Sequence, residues 1–116
     1  MIYKNDTNAK KGMVINMARK KITDDKDFLF KCILSLENAE ECYDFFGDLC
    51  TAKELEEMSR RMSAAKLLHE DHVYTEVKEK TGLSTATISR VSRCLQDSDD
   101  GYVKMLERVS DAKDGE

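Results

Sequence analysis

Around Gly82 the chain sets Val77 and Thr81 before the glycine and Leu83, Ile88 and Val91 after it, four aliphatic side chains and one threonine. Two short helices can share a core across a tight turn only when buried side chains fall at fixed offsets on both sides of it. Glycine in the turn takes a left-handed backbone at the least cost. The pattern predicts a helix-turn-helix over residues 75–95, with Thr75 capping a helix 76–81 and Ser84 capping a helix 85–95. Lys78 departs from the common small alanine and predicts a slightly open variant of the motif.

The other segments read as helices too. The stretch "DKDFLFKCILSLEN" opens at Asp25 and is apolar on nearly every side, through Phe28, Leu29, Phe30, Ile33, Leu34 and Leu36. So wide an apolar surface needs burial on more than one face, which predicts a partner subunit as well as the chain's own core. Asn38, three residues before Glu41, opens a helix 39–46 with Gly47 as its stop. Thr51 and Glu54 form a clearer capping box ahead of a long helix carrying Leu55, Met58, Met62, Ala65 and Leu68 or His69. The polar turn "HEDHVY" ends it, with His69 and His72 expected in solvent. A last amphipathic helix starts near residue 99 and turns Tyr102, Val103, Leu106 and Val109 inward. Nothing reads as a strand, so the expected fold class is all-α with six helices. The expected organisation is a basic, disordered arm 1–24, a helical domain 25–110 and a disordered tail 111–116.

Charge is partitioned along this plan. Residues 1–23 hold six Lys/Arg against one Asp, residues 24–58 three against eleven acids, and residues 95–116 three against seven. Residues 84–94 hold two arginines and no acid in a chain of net charge −4. Positive charge is thus reserved for the N-terminal arm and one helix. That argues against a general nucleic-acid coat but permits a small binding face. No apolar run approaches the ~20 residues of a membrane span and no signal-peptide core is present, so a cytoplasmic protein is expected. The four cysteines contain no CxxC pair and read as reduced, packed thiols, with neither metal nor cofactor implied. No phosphate-binding glycine loop and no Cys/His or Ser/His pairing occurs, so an enzyme is not expected.

The helix 85–95 carries chemistry of its own. Base edges in the major groove call for short donors and acceptors, small apolar groups for thymine methyls, and arginines for guanine or phosphate. Thr85, Ala86, Thr87, Ser89, Arg90 and Arg93 supply these, and Lys78 adds a cation from the preceding helix. Capping accounts for Ser84, one of five hydroxyls between Ser84 and Cys94, and leaves the other four and the missing acids unexplained. The segment therefore reads as a recognition helix for double-stranded DNA.

The stretches "LCTAKELEEMSRRMSAAKLL" and "TGLSTATISRVSRCL" resemble the Trp-repressor superfamily, most closely its YerC/YecD-type branch, over roughly residues 26–108. The resemblance implies a six-helix, Trp-repressor-like fold, an intertwined homodimer and DNA binding. It also implies an effector pocket. Two arginines that sandwich tryptophan in the tryptophan-responsive members match Arg61 and Arg90, and Thr51 matches a pocket threonine. Val91 stands for a glycine and Cys94 for a serine, and the added isopropyl group obstructs the ligand's place. Tryptophan is accordingly not expected as effector.

Three functions remain open on these grounds. The first is a homodimeric, sequence-specific transcriptional regulator, most simply a repressor, that does not respond to tryptophan. The second is such a regulator with a different, unidentified small-molecule effector. The third is a helix-turn-helix module that docks a protein partner, for which the acidic flanks 24–58 and 95–116 are the support.

Overall fold

A computed structural model of the chain describes residues 20–97 and 100–115. They form six α-helices, and no strand occurs among them: α1 (Lys20–Leu34), α2 (Ala39–Leu49), α3 (Ala52–His69), α4 (Tyr74–Thr81), α5 (Thr85–Asp97) and α6 (Gly101–Gly115). The described residues divide into two compact units, one ending at Asp44 and the other beginning at Phe45.

In the first unit, α1 begins at Lys20, so residues 20–24 of the expected arm are helical; residues 1–19 lie outside the described residues. Lysines are good helix formers, and the run of basic residues masked that propensity. No residue of α1 from Asp24 onward is buried: Phe28 is 67% exposed and Leu34 85%. α1 closes with the backbone N–H of Ser35 donating to the Cys32 carbonyl and that of Leu36 to the Ile33 carbonyl. The Asn38 side chain then accepts from the Glu41 N–H at 2.9 Å, while the Glu41 carboxylate accepts from the N–H of Glu37, one residue before the expected partner.

α2 crosses from one unit to the other and passes through Gly47 to Leu49, although Gly47 was expected to end it. A glycine stops a helix only where the backbone turns left-handed, and Gly47 is not among the residues with positive φ. The Phe45 and Phe46 rings meet edge to face at 5.1 Å.

The second unit holds the core. Thr51 caps α3 with the full reciprocal box: its hydroxyl accepts from the Glu54 N–H at 3.0 Å and the Glu54 carboxylate from the Thr51 N–H at 2.9 Å. α3 ends in a Schellman motif, with the His72 N–H on the Leu67 carbonyl, the Asp71 N–H on that of Leu68, and Asp71 left-handed at φ 69°. His72 is not in open solvent as expected. It is only 28% exposed, and its Nδ1 lies 2.9 Å from a Glu76 carboxylate oxygen. α4 starts two residues earlier than predicted, with Val73 at the cap position and no side-chain cap; Thr75 lies inside the helix.

α3 packs on α4, α5 and α6, and α5 on α4 and α6. Ala64, Val77, Leu83 and Ile88 form the core cluster, with Leu67 and Leu68 packed against it. α6 turns Tyr102, Val103 and Leu106 partly inward, but Val109 is 67% exposed. Its backbone stays helical to Gly115, where a disordered tail was expected from residue 111.

Candidate nucleic-acid interface

The turn between α4 and α5 is built by two residues. Gly82 adopts φ 74° and its N–H bonds the Lys78 carbonyl at 2.9 Å. Thr81, 8% exposed, donates its hydroxyl to the Val77 carbonyl at 2.8 Å and accepts from the Leu83 N–H at 3.2 Å. The threonine thereby satisfies a buried N–H that the turn would otherwise strand. All five positions of the predicted pattern are buried: Val77, Thr81, Leu83, Ile88 and Val91. Lys78 is exposed, so its charge stays in solvent.

Burying Ile88 and Val91 fixes which side of α5 faces out. Thr85, Ala86, Ser89, Arg90 and Arg93 fall at i, i+1, i+4, i+5 and i+8, one face of the helix. Four of them are exposed and Ser89 is half-buried. Thr87, predicted with them, does not share that face. Its N–H bonds the Ser84 hydroxyl at 3.2 Å, and the Ser84 hydroxyl donates to the Thr87 oxygen at 3.0 Å. Ser84 is thus the predicted cap, and Thr87 is tied to it.

Beside this face lies a cleft of about 450 Å³, lined by Glu57 and Arg61 from α3, Thr87, Arg90, Val91 and Cys94 from α5, and Tyr102 from α6. It gathers four of the five residues assigned to the altered effector pocket: Arg61, Arg90, Val91 and Cys94. Thr51 is not in its wall; it is exposed and spends its hydroxyl on the α3 cap. Val91 forms part of the wall without closing the cleft. The two adjacent arginines of α3 also separate here. Arg60 is exposed and pairs with Glu56 at 3.7 Å, whereas Arg61 is half-buried in the cleft. Glu57 and Tyr102 were not anticipated. Glu57 stands one helical turn before Arg61, and that spacing alone could have flagged it; Tyr102 belongs to a remote helix and had no local signal.

A helical chain with this motif and this turn falls in the class of helix-turn-helix proteins. Residues 24–110 match the family described as Trp repressor protein, and the chain belongs to that family of helix-turn-helix DNA-binding regulators. It is 47% identical over 87 residues to the uncharacterized protein YerC of Bacillus subtilis strain 168, covering 75% of this chain and 84% of YerC. A crystal structure of a candidate Trp repressor from Staphylococcus aureus superposes with TM-score 0.73 at 46% identity, over 75% of this chain and 87% of that one. A TrpR-like protein from Eubacterium eligens ATCC 27750 does so with TM-score 0.70 at 49% identity, over 72% and 87%. No helix among the described residues is long and apolar enough to cross a membrane.

Proposed function

We propose that this chain is a homodimeric, sequence-specific transcriptional regulator, acting as a repressor, that reads double-stranded DNA through α5 without tryptophan. The observation that carries the reading is the outward face of α5. It presents Thr85, Ala86, Ser89, Arg90 and Arg93 on one side of a helix anchored by Ile88 and Val91. Short hydroxyl and methyl groups at its N-terminal end allow close approach to base edges, while Arg90 and Arg93 suit guanine or phosphate. The homodimer is supported by the exposed aromatic and aliphatic side chains of α1. Two such helices related by a two-fold axis would enter successive major grooves about 34–36 Å apart.

The test is selection of random duplex DNA by the purified chain without added ligand, followed by affinities across a salt series. A palindromic consensus with steep salt dependence is the expected result, because the dependence reports counterions released from phosphate. Arg90→Ala and Thr85→Ala, with helicity intact by circular dichroism, should each abolish binding to that duplex. Unchanged affinity in both would remove α5 as the reading element. Tight binding to a protein partner, with no enriched duplex at low salt, would favour the docking module instead.

One observation favours a second reading. The cleft brings two guanidinium groups, one carboxylate, a phenol and a threonine hydroxyl around a space large enough for a small molecule. A regulator with an effector other than tryptophan fits that lining. Calorimetric titration with amino acids and indoles separates the two readings: heat with a shift in DNA affinity supports the effector, and neither supports binding by the chain alone.

A further inference from the structure

We propose that Val91 is an internal brace, setting the pose of α5 against α3 and α6. The proposal deepens the DNA-reading role of α5 and rests on it for its functional consequence.

Val91 is 1% exposed, yet it lies outside the core cluster that Ala64 of α3 forms with Val77, Leu83 and Ile88 of the helix-turn-helix. It sits instead in the wall of the cleft, where side chains of α3, α5 and α6 converge. Among the described residues no ion pair joins Glu57, Arg61 or Arg90 to one another or to any other side chain. The Ser84–Thr87 bonds are internal to the start of α5. Of the cleft residues Val91 is the one fully withdrawn from water, so its packing couples the distal part of α5 to α3 and α6. A β-branched residue suits the task, because its side chain is held to essentially one rotamer in a helix. Arg90 and Arg93 flank this anchor, so a tilt of α5 at Val91 carries both arginines away from where a duplex would need them.

Position 91 also differs from position 88 in what it can accept. An added methyl group at Val91 has the cleft beside it, whereas Ile88 belongs to the closed cluster. The experiment uses the full chain with Val91→Ala, Val91→Ile and, as control, Ile88→Val. Two quantities are read: amide hydrogen exchange over residues 85–97, and affinity for the duplex recovered by the wild-type chain. The brace predicts that Val91→Ala speeds exchange over the second half of α5 and weakens DNA binding about tenfold or more with helicity retained. Val91→Ile keeps both at wild-type values. Ile88→Val speeds exchange through α4 and α5 together and leaves DNA affinity within about twofold.

Wild-type exchange in Val91→Ala overturns the brace, whatever the DNA result. If the wild-type chain recovers no duplex, the DNA reading fails and the exchange measurement alone decides the brace. Should Val91→Ala lose its helicity outright, the milder truncation Val91→Cys takes its place. The brace then predicts faster exchange over the second half of α5, and wild-type exchange there overturns it.

Discussion

α1 and the α4–α5 pair both carry large apolar side chains, but they dispose of their apolar surface in opposite ways. In α4 and α5 the large aliphatic side chains Val77, Leu83, Ile88 and Val91 are at most 4% exposed, counting the turn between the helices. In α1, Phe28, Phe30 and Leu34 are 53–85% exposed, and no described residue of that helix is buried. The motif closes its own core within about fifteen residues, aided by Ala64 of α3. Among the described residues nothing buries the apolar surface of α1, and exposed apolar area of that kind is what the proposed dimer would cover. A locally encoded element can thus be verified in one chain, whereas an element that encodes assembly shows itself as surface left over.

Alanine substitutions in the two regions test that contrast, beginning with the largest effect. Ile88→Ala should lower stability by about 2–5 kcal/mol, measured by urea denaturation, because it empties a closed cluster. Leu34→Ala removes a side chain 85% exposed in the single chain. If α1 forms the dimer interface, it should cost about 2 kcal/mol, and the denaturation midpoint of the wild-type chain should rise with protein concentration. A negligible cost with a concentration-independent midpoint would leave α1 without a partner and break the comparison.

Smaller effects probe how the locally encoded half is held. Gly82→Ala should cost about 1 kcal/mol by the same measurement. A Cβ at Gly82 meets nothing within 4 Å, so the penalty is conformational and not steric. Asparagine at the same position should therefore recover part of it. Thr51→Ala should also cost about 1 kcal/mol, the loss of a reciprocal capping box.

These cases show which parts of the fold and the site were legible in the residues. The five-position pattern around Gly82 was read in full because its offsets are dictated by helix geometry alone. Ser84 and Thr51 were read as caps because a hydroxyl three residues before the N–H it serves is a local signal. The outward face of α5 followed from its buried face. Thr87 was grouped with the outward residues although its place two positions after Thr85 turns it off that face, where its hydroxyl meets Ser84. Gly47 and Thr75 misled because residue type suggests a boundary while packing decides whether the helix continues. Val109 was assigned inward from its apolar stripe, and a stripe says which face is apolar without saying what covers it. The cleft was half legible. Arg61, Arg90, Val91 and Cys94 came from resemblance, whereas Tyr102 joins them only when α6 folds back.

The smallest effect concerns the start of α4, which lacks a side-chain cap. Val73 occupies the cap position of α4 with φ −78° and ψ 158°, the extended backbone a capping residue uses, but an isopropyl group cannot accept a hydrogen bond. Its side chain is 62% exposed, so little buried contact would be lost on replacement. The His72–Glu76 contact steadies this end of α4 from outside the cap, and it survives the change. Val73→Ser should therefore stabilise the chain by about 0.5–1 kcal/mol, read as a higher urea midpoint at unchanged slope. A destabilised variant would mean that Val73 is covered in solution. The surface left over would then extend beyond α1 to the entrance of the helix-turn-helix, and the division between a self-contained and an assembling half would have to be redrawn there.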